Sequence, residues 1–246
     1  MHSLLNSLKT QKISQNNNSF LFQHLPTGLG TTIGNCLRRI LIENLYGIAI
    51  WGIKITDKKG IVKSNFTTLT GVHETTIDLI SKLKEVIFKF SPKHKELKEI
   101  YLLKLNINNQ ENKEYIITAA DFQSTEIKVV NPKIYLATLA PHSSLQIELY
   151  CRYNWGYLSA QTQKHLLTKI EDNKNENIIV LDSSYSPIKK VFFEVKLVVA
   201  DLETEEEELN LVIDTNGSLE PKEALLKSLE TLGEIKENLV KEISSL

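Results

Sequence analysis

Leu25-Pro-Thr-Gly28-Leu-Gly30-Thr-Thr32-Ile-Gly34-Asn35-Cys-Leu37-Arg38-Arg39-Ile-Leu41 is the stretch on which the reading of this chain turns. Ser19 to Leu25, just before it, alternates with Phe20 and Phe22 on one face and reads as a strand. Pro26 to Gly30 is a turn. Thr31 or Thr32 then caps a helix that runs to about Tyr46 and stops at Gly47. At 100° per residue, Ile33, Cys36, Leu37, Ile40, Leu41 and Leu45 gather on one broad apolar face. Asn35, Arg38, Arg39 and Ile42 lie on the other. An Arg pair in mid-helix beside an Ile and an Asn has the composition of an interface anchor. An ordinary charged surface is the plain alternative.

The glycines Gly28, Gly30 and Gly34 also invite a nucleotide reading, which fails in detail. The dinucleotide fingerprint wants Gly where Ile33 stands, and an acidic residue near Ile50–Lys54, where there is none. The phosphate loop wants Gly-Lys-Ser/Thr, and no Lys is near. A tight turn, with a close helix contact at Gly34, accounts for the glycines.

The chain around this stretch has 246 residues and 28.0 kDa, 41% hydrophobic and 24% charged, a globular composition. That length allows one large domain or two small ones. Net charge is -1 and pI about 6.6, which excludes a wholly basic nucleic-acid coat and a strongly anionic tail. Two Cys, at 36 and 151, form neither a CxxC pair nor a disulfide framework, and reduced thiols are the simple expectation. The N-terminus lacks a signal-peptide core. The longest apolar run, Tyr46 to Ile53, is far short of the ~20 residues of a membrane helix, so a soluble intracellular protein is expected. There are 26 Lys, 19 Asn and only 3 Arg, the signature of an AT-rich genome such as an organelle or some bacteria carry. In that setting each Arg is a suspect, and two of the three are Arg38 and Arg39.

Along the rest of the chain, residues 1–18 read as a polar, irregular arm. Ile48 to Ile55 is a strand, followed by a hairpin turn at Asp57–Gly60 and an extended stretch over 61–70. Glu74 to about Phe88 is a helix with Ile77, Ile80, Leu83 and Ile87 at helical spacing. Residues 91–98 are a charged loop. Alternation over 100–107, 115–119, 126–130, 133–139 and 144–152 predicts a mostly antiparallel β unit. Lys164 to Asn177 is a polar surface loop. Ile178–Leu181 and Val191–Ala200 are β-prone. The run Glu203–Glu208 reads as a solvated hairpin tip, Leu209–Asp214 as the last strand, and Thr215–Ser218 as a turn. Pro221 opens a long terminal helix. Leu225, Leu229, Leu232, Leu239, Ile243 and Leu246 keep a 4-3 spacing on it, widened by Ile235 and Val240. Such a stripe needs cover from its own sheet or from a second chain.

Catalytic constellations are missing from the sequence. The six His are dispersed, with no HxxxH pair and no carboxylate beside a second ligand. No Gly-x-Ser-x-Gly elbow occurs. Lysine clusters at Lys93–Lys98 and Lys189–Lys190 lack the interleaved aromatics of a base-reading surface.

The opening stretch resembles the alpha subunit of multisubunit DNA-directed RNA polymerase, bacterial and plastid type, whose pattern there is Gly-x-Gly-x-Thr-x-Gly-Asn-x-Leu-Arg-Arg-x-Leu. Further stretches are similar in order: Gly71-Val72 with Leu83-Lys84, Thr118–Asp121, Gly156-Tyr157, Ser184–Pro187, and Thr215–Ser218 followed by Pro221, Glu223 and Ala224. The chain departs from the family at Leu29, where an aromatic is usual, at Tyr46, where Pro is usual, and at Glu220, where Asp is usual.

The resemblance implies an α+β fold. A discontinuous dimerisation domain of two helices on an antiparallel sheet spans 1–47 and 186–246, and a mostly β insert domain spans 48–185. It implies a homodimeric scaffold that assembles the beta and beta-prime subunits. The beta subunit docks on Thr32, Asn35, Arg38, Arg39 and Ile42, and beta-prime docks near Lys84. The dimer interface falls on Ile33, Leu37, Ile40, Leu225, Leu229, Leu232 and Leu239. The chain is then a non-catalytic subunit of a nucleotidyltransferase, with no catalytic residue, metal ligand or cofactor of its own, the Mg²⁺ being held by beta-prime. DNA is met only within the holoenzyme, and no membrane is involved. The small helical DNA-binding domain that follows in bacterial relatives is expected to be absent. A plastid is the expected location, with a bacterial cytoplasm as the alternative. Two rival readings are a free-standing dimeric binding protein of the same fold and a small-molecule enzyme built on Gly28–Gly34.

Overall fold

The computed structural model describes residues 7–91, 98–168, 177–201 and 204–245. The chain divides into two compact units, Met1–Tyr46 with Ser186–Leu246, and Gly47–Tyr185. In chain order its first elements are β1 (Ser7–Lys12), β2 (Asn17–Pro26), α1 (Leu29–Glu43), β3 (Tyr46–Asp57), β4 (Gly60–Val62), α2 (Thr76–Lys84), β5 (Phe88–Phe90), β6 (Tyr101–Asn109), β7 (Tyr115–Thr118) and β8 (Ile127–Val129). There follow β9 (Tyr135–Leu139), β10 (Ser143–Trp155), β11 (Tyr157–Leu158), α3 (Ala160–Thr168), β12 (Ile179–Val180), β13 (Ser183–Ser184), β14 (Ile188–Asp201), β15 (Thr204–Thr215) and α4 (Pro221–Ser244). This is an α+β architecture.

The first unit is an antiparallel sheet in the order β1-β2-β15-β14, with α1 and the start of α4 packed on one face. Alternation puts Leu209, Leu211 and Ile213 of β15 on that face, beside Phe20 and Phe22 of β2. Between Glu207 and Leu209 the register to β2 slips by one residue, and His24 there adopts φ 61. That bulge turns Leu25 inward as well, three residues after Phe22 rather than two. The core closes with Leu37 and Leu41 of α1, with Leu45 just past its end, and with Ala224 and Leu225 of α4.

Several expectations are corrected here. The N-terminal arm is not irregular throughout: β1 pairs with β2 along its length. Its Leu8 is exposed, so backbone pairing rather than an apolar face holds it, and no periodicity announces it. Neither Thr31 nor Thr32 caps α1; Gly28 does, at φ 88. The run ending at Glu208 is no solvated tip, because Glu205 to Glu208 lie within β15. Glu203 falls outside the described residues.

The second unit is built on a sheet in the order β12-β3-β10-β6 with β4 beside β3, and three two-stranded pairs, β5–β8, β7–β9 and β11–β13. Its core joins Ile53 and Ile55 of β3, Leu103 and Leu105 of β6, and Leu145, Ile147 and Leu149 of β10 to Leu79, Ile80 and Leu83 of α2. The helix is shorter than expected. It starts after Thr75, whose hydroxyl accepts the Asp78 N–H, and ends at Lys84. Leu79 takes the inward position while Ile77 is exposed, and Ile87 lies past the helix end. Part of the expected loop at 164–177 is helix α3, and its remainder at 169–176 falls outside the described residues. Gln163 of α3 is fully buried. Its amide donates to the Leu181 carbonyl and to Ser183 Oγ, both at 2.8 Å, and the Tyr185 hydroxyl donates to its oxygen at 3.2 Å.

Candidate functional site

The α1 helix is positioned from below by three strand residues. Its N-terminus carries no side-chain cap and no acidic residue in the first turn. The four free N–H groups of a helix start, and its positive dipole end, call for an acceptor. Glu207 of β15 supplies it: the Gly28 N–H donates to Oε1 at 2.9 Å and the Gly30 N–H to Oε2 at 2.7 Å. Glu207 shares the inward face of β15 with Leu209 and Leu211, and is 7% exposed. A Cβ on Gly30 would stand 2.9 Å from Val195 Cγ1, and one on Gly34 2.6 Å from the Phe193 ring. The helix therefore lies directly on β14. A carboxylate of the chain itself occupies the turn where a phosphate-binding loop would hold its ligand, which removes the structural basis for the small-molecule reading.

With one face of α1 sealed, the other is set. Thr32, Asn35, Arg38, Arg39 and Ile42 are all exposed and share it, as the sequence predicts for four of them by helical period. The residues expected at a dimer interface divide differently. Leu37, Ile40 and Leu225 are buried in the protomer's own core, and Ile33 and Leu232 are half-buried. Leu229 and Leu239 are exposed, in one broad stripe with Ile235, Val240 and Ile243 on α4, and Leu226 is exposed beside it. From Glu234 to Ser245 every residue of the helix and its cap is exposed. Leu246 falls outside the described residues.

In the second unit Lys84 is not a free cation. Its Nζ donates to Asp182 Oδ1 at 2.6 Å, and this ammonium holds the Asp182 carboxyl below the ordinary carboxylate range. Ahead of α2, Glu74 accepts from the Tyr135 hydroxyl and, at 2.8 Å, from the Thr138 N–H, while Lys82 lies 4.2 Å over the Tyr135 ring. Burial alone would raise the Glu74 carboxyl, yet these donors together hold it below its usual value. The third Arg, Arg152, is buried with its guanidinium 5.4 Å from the Trp51 ring centroid.

Sequence reasoning missed Glu207 and Asp182. The first had a signal: Glu207, Leu209, Leu211 and Ile213 alternate, so the acid lies on the face of the apolar residues. The second, 98 positions from Lys84, had none. Among the described residues no group of three or more His, Cys, Asp or Glu side chains is placed to hold a metal ion, and no helix is long and apolar enough to cross a membrane. Cys36 and Cys151 are free thiols.

Residues 52–186 match the family described as the RNA polymerase Rpb3/RpoA insert domain. A protein of Salinibacter ruber named DNA-directed RNA polymerase subunit alpha is 36% identical over 228 residues, 90% of this chain and 62% of that protein. Proteins of the same name from Trichormus variabilis and Emiliania huxleyi are 30% and 31% identical, over 88% and 90% of this chain. They are covered to 63% and 66% of their own length, so the chain spans somewhat under two thirds of these relatives. They include bacterial, cyanobacterial and algal proteins. Since the insert-domain match takes in more than half of the chain, and the relatives named here are alpha subunits, the chain belongs to the RNA polymerase Rpb3/RpoA family.

Proposed function

We propose that this chain is a scaffold on which a DNA-directed RNA polymerase assembles, pairing with a second copy and docking the beta subunit through α1. The observation that carries this reading is the outward face of α1, where Thr32, Asn35, Arg38, Arg39 and Ile42 stand exposed together above a sealed core. Two guanidinium forks around an apolar centre are hot-spot chemistry, and the chain has only three Arg to spend. Pairing is supported by α4, whose exposed row of Leu229, Ile235, Leu239, Val240 and Ile243 has no cover among the described residues. A two-fold contact between two such rows would bury both. Leu37, Ile40 and Leu225 back that contact from inside the core rather than form it. Beta-prime is assigned to the α2 side, with Lys84 and Asp182 acting as a bonded pair.

In this reading the chain performs no nucleotidyl transfer. The Mg²⁺-dependent step and the DNA contacts belong to the holoenzyme and to beta-prime. The 26 Lys and 19 Asn against 3 Arg fit an AT-rich plastid gene, with a bacterial cytoplasm as the alternative location. The test is co-expression of the tagged chain with the beta and beta-prime subunits of its own polymerase, followed by native mass measurement. The expected particle holds two copies of this chain and one of each large subunit. Recovery of the chain free of both, under conditions in which both are folded, would overturn the proposal.

A further inference from the structure

We infer that Glu207 is a positioning residue for the docking face: its carboxylate fixes where α1 starts, and so which side chains the helix turns outward. The inference rests on the reading of α1 as the beta-docking helix. A helix start is ordinarily fixed by a side chain next to it in sequence, and α1 has none. Its acceptor comes from β15 instead, 179 and 177 positions from the two glycines it binds. Two oxygens on two N–H groups define both the height and the rotation of the first turn. The glycines are what permit this. A Cβ at Gly30 would lie 2.8 Å from Glu207 Oε2, and Gly28 holds φ 88 with open space around it.

The neighbouring acids are engaged elsewhere. Glu206 bonds His24 at 2.6 Å and Glu208 bonds Gln23 at 2.5 Å, both on the bulged part of β2. Of these carboxylates, Glu207 bonds the helix and the other two bond the sheet. A slip of the helix start by one residue would rotate α1 by about 100° and, according to its direction, carry Arg39 into the buried position of Ile40 or Ile42 into that of Leu41. Loss of the carboxylate leaves Val195 and Phe193 against Gly30 and Gly34, contacts that resist approach but do not fix rotation.

The test uses the full chain as it pairs, with the purified beta subunit of the same polymerase. Glu207→Gln keeps size and removes charge. Sedimentation should show the pairing of wild type. Capture of beta should weaken at least tenfold, and amide exchange should quicken at Gly28–Thr32 while Leu37–Leu41 stays protected. Gly30→Ala is the second variant. It leaves the carboxylate in place but pushes the helix off it, and should weaken capture similarly. A purely structural role would lower the melting temperature and leave capture by folded chain unchanged, and that result in either variant overturns the inference. If both variants fail to fold, Glu207 is a residue of the fold alone and the positioning role is wrong. Wild type failing to capture beta strikes the docking reading itself and this inference with it, and is told apart because wild type, not the variants, fails.

Discussion

Arg39 stands exposed on α1 one turn before Ile42, while Leu37, two residues earlier, has no exposed surface at all. Neighbours on one helix thus have opposite burial, and on the proposed docking reading substitution should separate them. Arg39→Ala should leave the melting temperature nearly unchanged and weaken capture of the beta subunit by about 2 kcal/mol or more, as for a central anchor. Leu37→Ala should lower stability by about 2–5 kcal/mol through a core cavity and alter capture only as far as it unfolds the chain. Thermal unfolding and beta binding of each variant check both, and an Arg39→Ala chain that unfolds, or that binds as wild type, refutes the assignment. The Lys84–Asp182 pair makes a different prediction. Asp182 is held below its ordinary value of 3.8 by the Lys84 ammonium. A carboxyl whose pKa is lowered by folding stabilises above its unfolded pKa and loses that contribution as pH falls through the folded one. Both side chains are over a third exposed, so the pair contributes at most ~1 kcal/mol. Melting curves of wild type and Asp182→Asn should differ at neutral pH and draw together as pH falls below 3.8, meeting only below the lowered pKa of Asp182. A gap that persists in acid would mean the pair does not act through charge.

At the scale of elements, what was legible and what was not divide by how far apart the partners lie in sequence. The outward face of α1 follows from a 3.6-residue period within a dozen positions, and the structure bears out Asn35, Arg38, Arg39 and Ile42 as exposed together. The strands β6, β9 and β10 were equally readable, each from its own alternation. The anchors beneath α1 were not, because Val195, Phe193 and Glu207 come from a hairpin more than 150 positions downstream. Glu207 was also hidden by its company: a run of acids suggests solvent, and only the period-2 link to Leu209 and Leu211 says otherwise. Strand β1 left no trace, since its Leu8 is exposed and its pairing is made by backbone. The close approach at Gly34 was foreseen as a contact, though not its partner. Gly34→Ala would set a Cβ 2.6 Å from the Phe193 ring. The helix and β14 would have to part, at a cost of about 1–3 kcal/mol. Denaturant unfolding measures this, and a neutral or stabilising effect would mean that the helix is held less closely than its glycines imply.

For the molecule as a whole, the question is what α4 does beyond its own sheet. The helix has 24 residues, a length of about 36 Å at 1.5 Å per residue. Ala224, Leu225 and Ser228 are buried against the protomer, but from Glu234 to Ser245 no residue is. Isolated helices shorter than about 12–15 residues are marginal in water, because nucleation is costly and each residue added gains little. The outer half of α4 is of that length, and it carries Ile235, Leu239, Val240 and Ile243 uncovered. Its helicity should therefore depend on a second copy. Dilution of the chain should lower the sedimenting mass from two copies to one, and over the same concentration range circular dichroism should lose the signal of roughly three helical turns. Leu239→Asp should give the same half-melted monomer at all concentrations, since a carboxylate cannot be buried unpaired in an apolar seam. The first unit's core should survive in it, because Leu239 lies outside that core. Mass and helicity that fall at different concentrations would separate the helix from the pairing, and a monomer with full helicity would place the contact between copies on another face.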